Sequence, residues 1–245
     1  MTSLNLESGA ADLVVGGLTP LSTADWPEKL AAVVFCQGCT WRCPYCHNAV
    51  LRPFGEGERP WLEVLRWLES RQGLLDAVVF SGGEPLLQPG LEDSMRHVRD
   101  LGFEVGLHTS GMTPRALARV LPLCGWVGFD LKAPRPVYAR ITGAPESADK
   151  AWESLAMLQE AGIPFELRTT WHPSLLFEEE LCEVAGEIAA LPRAAGQLTW
   201  ALQAFQPDGC ADERLAASDR AHVSEQLAAL LRQALGAGAR LVVRA

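Results

Sequence analysis

Short apolar runs alternate along the chain with longer segments whose apolar residues recur every three or four positions. AAVVFC (31–36) is β-branched, apolar and short, which suits a buried strand. AVVF (77–80), EVGLH (104–108), WVGFDL (126–131), PFELRTT (164–170) and TWALQAF (199–205) share that character. Between them WLEVLRWLESRQ (61–72), GLEDSMRHVRDLG (90–102), PRALARVLPL (114–123), DKAWESLAMLQEAG (149–162) and EEELCEVAGEIAAL (178–191) carry the helical period. Gly102 and Gly162 sit where helix C-caps belong, and Thr113 before Pro114 reads as an N-cap and first helical residue. Strands alternating with helices predict βαβ units and a parallel sheet, either open and doubly wound or barrel-like. A last amphipathic helix, roughly residues 217–235, and a short apolar run, RLVVR (240–244), follow. The loop 134–147 is punctuated by Pro and Gly and is too short for a domain linker. No low-complexity tract or long linker interrupts the pattern, so residues 1–245 read as a single domain.

Composition narrows the classes. The chain has 245 residues, 48% of them hydrophobic and 21% charged, as in ordinary globular proteins, with a formal net charge of -9. An acidic chain without clustered Lys and Arg does not suit nucleic acid. No apolar run reaches the roughly 18–20 residues of a membrane span. The segment MTSLNLESGAADLVV has no basic stretch followed by an apolar core, so no secretory signal is expected and the protein reads as cytoplasmic. In that compartment clustered cysteines point to metal binding or catalysis before disulfides.

Four of the seven cysteines fall within CQGCTWRCPYCHN, residues 36–48. Cys39, Cys43 and Cys46 form C-x3-C-x2-C directly after the first predicted strand. Three thiolates on a tight loop can hold three corners of a cubane iron–sulfur cluster, whereas full ligation takes four. The iron left open can bind a substrate or cofactor. A zinc site using His47 is a poorer reading, because His47 adjoins Cys46 and no second C-x2-C pair exists. Redox chemistry at Cys43-Pro-Tyr-Cys46 leaves Cys39 without a role. A run that begins at Cys36 could close the cluster, as in an electron carrier, but would ask a strand residue to share it with the loop.

At these residues the chain resembles the radical S-adenosylmethionine (SAM) superfamily, whose hallmark is C-x3-C-x2-C with an aromatic, here Tyr45, before the last cysteine. Within it, DWPEKLAAVVFCQGCTWRCPYCHN (25–48) resembles the activating enzymes of glycyl radical enzymes, above all those of anaerobic ribonucleoside-triphosphate reductase. Those open with a D-Y-P-G-K-like element, from which Trp26 and Glu28 depart. The resemblance runs from about residue 15 to about 207, and residues from about 208 to 245 form an extension with no familiar motif.

The resemblance implies one 4Fe–4S cluster on Cys39, Cys43 and Cys46, with SAM chelated at the open iron and Tyr45 beside its adenine. One electron then cleaves the sulfonium, and the 5′-deoxyadenosyl radical takes a hydrogen atom from a partner's glycine. It also implies a glycyl radical enzyme as partner and reduced flavodoxin or ferredoxin as electron donor. SGGEP (81–85), after the second strand, matches the methionine-binding motif with Gly82, Gly83, Glu84 and Pro85. By their chemistry the glycines permit close backbone approach, and Glu84 offers an acceptor to an ammonium group. Asp130 and Lys132 match a D-x-K element that contacts the methionine, and residues two apart on a strand share a face. Thr109 and Ser110 match a T-N position and His172 a histidine near the ribose, with Gln203 a weaker candidate. His108 stands where the family often has Asp.

Whatever the family, polar and reactive residues gather at the C-terminal ends of successive strands, where barrel-type α/β folds build active sites. The expected fold is therefore α/β, a partial (β/α)6 barrel of parallel strands with a C-terminal helix and short strand extension. Cys36, Cys124, Cys182 and Cys210 are scattered singly, so no second cluster is expected. Two rivals remain: a radical enzyme acting on a small molecule, like 7-carboxy-7-deazaguanine synthase, and a non-catalytic iron–sulfur or zinc protein.

Overall fold

A computed structural model describes residues 12–192, 198–210 and 212–244. Most of the segment read for a secretory signal, residues 1–11, lies outside them. In chain order the elements are β1 (Val15–Ser22), β2 (Ala31–Cys36), α1 (Trp61–Glu69), β3 (Ala77–Gly82), α2 (Leu91–Asp100), β4 (Glu104–Thr109), α3 (Pro114–Val120) and β5 (Trp126–Asp130). They continue with α4 (Tyr138–Thr142), α5 (Ser147–Ala161), β6 (Phe165–Trp171), α6 (Glu178–Ala189), β7 (Leu198–Ala204), α7 (Glu213–Ala216), α8 (Glu225–Leu235) and β8 (Ala239–Arg244).

The eight strands form one sheet in sequence order, with β1 antiparallel to β2 and all later neighbours parallel. β1 and β8 are the edges and do not pair, so the barrel stays open. All six expected parallel strands are present, and RLVVR adds a seventh beside β7. β1 was not anticipated: VGGLTPLS contains two glycines and a proline, which mask an edge strand. The stretch 134–147 contains the short helix α4, ended by Gly143 in the left-handed region. The expected helix at 217–235 begins only at Glu225, capped by the Ser224 hydroxyl. Gly162 caps α5 at φ +65°, as its position implied, whereas Thr113 precedes α3 without a side-chain cap bond.

Alternation along the strands divides the buried residues between two faces. Ala32, Val34, Val78 and Phe80 belong to the large core under the helices, whereas Ala31, Val33, Ala77 and Val79 pack with Trp26 and Trp126 inside the barrel. Trp26 comes from the β1–β2 connection and stacks on Trp126, with ring centroids 5.7 Å apart. Gly106 makes room for it, since a β-carbon there would lie 2.8 Å from the Trp26 ring. Glu28, in the same connection, is held at φ +66°, the backbone region that favours glycine. The connection thus plugs the barrel beneath the strands' C-terminal ends.

Candidate active site

β2 delivers the cysteine loop, and main-chain bonds zip the loop to SGGEP at the end of β3. Gly83 N donates to Cys36 O at 2.8 Å, and Glu84 N donates to Gly38 O at 2.9 Å. A β-carbon on Gly83 would lie 2.4 Å from Gly38 O, so this glycine is required by the cysteine loop itself. The Asn48 amide donates to Gly82 O at 3.3 Å and adds a third tie that sequence reasoning missed.

Glu84 is 2% exposed and accepts four hydrogen bonds from the protein. Oε1 takes Thr109 Oγ1 at 2.6 Å and Leu86 N at 3.2 Å, while Oε2 takes Ser110 Oγ at 2.6 Å and Ser110 N at 3.0 Å. Burial pushes its carboxyl upward, and the bonds from Ser110 and Thr109 pull it back. Four acceptor positions are what a carboxylate offers. A ligand ammonium would therefore have to displace one of these donors, and Glu84 braces the end of β3 against the end of β4. Sequence motifs locate such a residue without showing which way it points.

Asp130 and Lys132 share one side of the β5 terminus, as their spacing requires, and pair at 3.2 Å. Burial opposes the Lys132 charge, but Asp130, Tyr45 and Cys43 outweigh it and raise its pKa well above the ordinary lysine range. Its ammonium also lies 5.9 Å from the centre of the buried Tyr45 ring.

These groups line one pocket of about 340 Å³ at the strands' C-terminal ends. Cys39, Cys43, Cys46 and Tyr45 face it from one loop; Gly82, Gly83, Glu84, Thr109, Ser110, Asp130 and Lys132 face it from β3 to β5. Gln203 lines it too, as do residues no motif singled out as ligand contacts, among them Asp25, Asn48, Arg168 and Thr170. Pro85 is buried as the first residue of a short 3-10 turn and does not line the pocket. Nor does His172. Its Nδ1 accepts from Ser174 N at 3.1 Å, its Nε2 meets Ser218 Oγ at 3.2 Å, and its ring stands edge-on to Phe205. His47 also lies in the lining, but its Nε2 donates to Gln206 O at 2.8 Å.

All seven cysteines are free thiols. Among the described residues no three His, Cys, Asp or Glu side chains converge closely enough to grip a single metal ion. A four-iron cluster spreads its thiolates over separate irons, and three free thiols on one pocket-facing loop fit it. Burial pushes the Cys39 thiol up to about 12 and raises Cys43 as well, so metal binding has to displace protons there. Cys36 lies fully buried at the end of β2 and is absent from the lining.

Comparison with known proteins gives the family and the fold likeness. The family model "Radical SAM superfamily" matches residues 33–184. A Methanocaldococcus jannaschii protein, named as a candidate glycyl-radical enzyme activating enzyme, is 29% identical over 207 residues, spanning 82% of this chain and 83% of that one. A 7-carboxy-7-deazaguanine synthase of Methanopyrus kandleri is 31% identical over 128 residues, 44% of this chain and 50% of its own. A solved domain of pyruvate-formate lyase-activating enzyme from Bacteroides vulgatus superposes with a TM-score of 0.55 at 21% identity, covering 69% of this chain and 99% of that one, a likeness of fold.

Proposed function

We propose, because this chain belongs to the radical SAM superfamily, that it is an activating enzyme that makes a glycyl radical on a partner enzyme, with anaerobic ribonucleoside-triphosphate reductase as that partner. The observation that carries the reading is the closed floor of the barrel. Trp26, Trp126, His108 and Arg168 fill the lumen beneath the pocket. A hydrogen donor has to be presented from the mouth, which suits the main chain of a polypeptide loop better than a buried small molecule. Similarity along most of both chains to the Methanocaldococcus jannaschii relative supports the same choice, whereas the synthase match covers half of that enzyme.

Cys39, Cys43 and Cys46 would hold the cluster. Reduced by flavodoxin or ferredoxin, it would supply the electron that cleaves SAM into methionine and a radical able to take a hydrogen atom from a glycine Cα. The chain's own residues bind and orient. Lys132, charged and paired with Asp130, offers an ammonium to the methionine carboxylate. Glu84 fixes Thr109 and Ser110 against SGGEP, so the wall facing the methionine is rigid before ligand arrives. Tyr45 presents an aromatic face to the adenine. His172 is left to packing, since it lies off the pocket.

Anaerobic incubation of the cluster-loaded, reduced protein with SAM tests the chemistry, and failure to form 5′-deoxyadenosine and methionine would refute it. Adding the reductase and recording its EPR spectrum tests the partner. Cleavage of SAM without a glycyl-radical signal would remove the activase reading and leave the superfamily reaction standing.

A further inference from the structure

Beneath the pocket lies a buried charge cluster for which the cofactor chemistry has no use. Glu166 and Arg168, two apart on β6, are 4% and 7% exposed. Arg244, from β8, donates through Nη1 and Nη2 to the two Glu166 oxygens, each at 2.7 Å. Arg168 adds one bond, from Nε to Glu166 Oε1 at 3.0 Å. Its terminal nitrogens are thereby free for the pocket floor. Nη1 lies against the His108 ring, 3.0 Å from Nε2 and 3.3 Å from Nδ1, Nη2 donates to the Asp25 carbonyl at 3.3 Å, and the guanidinium lies 5.1 Å from the Trp126 ring centre. His108 Nε2 donates to the same Asp25 carbonyl at 2.7 Å, which leaves Nδ1 to accept from the Ser81 hydroxyl at 3.3 Å. The Asp25 carboxylate, held by Ser22, is 3.8 Å from His108. Asp25, Ser81, His108 and Arg168 all line the pocket, whereas Glu166 and Arg244 do not.

A buried carboxylate needs partners for both oxygens. Without Arg244 the nearest cation is Arg168. Its planar fork could satisfy both oxygens only by turning down into the barrel, away from His108 and the Asp25 carbonyl. That turn would withdraw a positive charge from the pocket floor and unpin the β1–β2 connection beneath it. Gly128 marks how tightly the arrangement is fitted, since a β-carbon there would lie 2.8 Å from Arg168 Cζ and 2.9 Å from His108 Cδ2.

We propose that Arg244 is a positioning residue for the ligand pocket: by taking both oxygens of Glu166, it leaves Arg168 free to form the pocket floor. β8, which lies in the extension without a recognised motif, is then part of the site's support. The choice of ligand in the test rests on the pocket being the SAM site.

Cluster-loaded Arg244→Met, Arg244→Lys and Glu166→Gln/Arg244→Met proteins are titrated anaerobically with SAM, and Arg168 is located in their crystal structures. Arg244→Met should weaken SAM binding about tenfold, the equivalent of one charge-assisted hydrogen bond. Its Arg168 should be swung onto Glu166. Arg244→Lys, a point charge unable to engage both oxygens, should fall between. The double variant, whose neutral amide no longer demands two cations, should return Arg168 to the floor and affinity to within about twofold of wild type. Unchanged affinity and an unmoved Arg168 in Arg244→Met overturn the proposal. So does a double variant as weak as the single one, since β8 would then matter only as an added strand. If Arg244→Met does not fold, the Lys and double variants decide by the same comparison. If the wild type does not bind SAM, the pocket assignment fails, and the position of Arg168 alone decides.

Discussion

Replacing Gly82 with alanine puts the junction of the cysteine loop and SGGEP under a measurable load. Gly82 has φ +108°, a conformation that costs a residue with a side chain about 1–3 kcal/mol. Its new β-carbon would lie 2.4 Å from Cys36 N, 2.6 Å from Cys36 O and 2.8 Å from the Phe35 carbonyl carbon. These atoms are main chain of β2, in register with Gly82 across the ladder, and cannot turn aside as a side chain can. Restoring ordinary contact near 3.5 Å moves the strand by about 1 Å. Overpacking of that kind costs about 1–3 kcal/mol. Gly73 provides the control: its φ is +74°, and nothing lies within 4 Å of its would-be β-carbon. Gly73→Ala bears a left-handed conformational cost with no clash, so the difference between the variants reports the clash together with the further cost of φ +108°. Urea unfolding of both, fitted with the wild-type slope, should place Gly82→Ala lower by about 1–3 kcal/mol. Equal stability of the two variants would show that contact with β2 does not fix the glycine.

Three further outcomes follow from the same geometry. Thr109→Val removes a 2.6 Å donor from buried Glu84 and should cost about 1.5–3 kcal/mol. Burial already holds the Glu84 pKa above 4.5, and losing that donor raises it further. A carboxyl that binds its proton more tightly folded than unfolded loses stability as pH rises through that interval, so the deficit should be smallest near about pH 4 and grow toward neutrality. A deficit that shrinks with pH in stability titrations would contradict it. Cys39→Ser, Cys43→Ser and Cys46→Ser should each bring iron well below about four per chain after reconstitution, while Cys182→Ser and Cys210→Ser leave it unchanged. Iron loss in Cys210→Ser would reveal a ligand outside the loop. Gly128→Ala meets side-chain atoms and not main chain, so it should weaken SAM binding about tenfold with less than about 2 kcal/mol of lost stability. Lost stability with unchanged affinity would separate the pocket floor from the ligand.

Elements whose hydrophobic period is unbroken were legible in the chain. β2 to β7 and the helices between them bury one face on the helices and another in the barrel, and each face writes its own alternation. β1 was hidden because an edge strand needs little apolar surface and tolerates Gly and Pro. α4 was hidden by the prolines and glycines around it. The site divides similarly. Residues at the ends of the parallel strands could be placed from order alone, because a parallel sheet brings those ends together. His172 ends such a strand and yet lies off the pocket, because its ring packs on Phe205 and bonds Ser174 and Ser218.

The sequence by itself determined six parallel strands and the helices between them, the loop with three cysteines and its place after the first parallel strand, since local period and spacing encode these. Only the tertiary structure decided what Glu84 faces, why Gly83 cannot carry a side chain, and that β8 reaches back to Glu166. Each depends on contacts between residues distant in the chain: Glu84 with Thr109 and Ser110, Gly83 with Gly38, Glu166 with Arg244. Such contacts are set by the register of neighbouring strands and the curl of the sheet, which no local pattern of residues records.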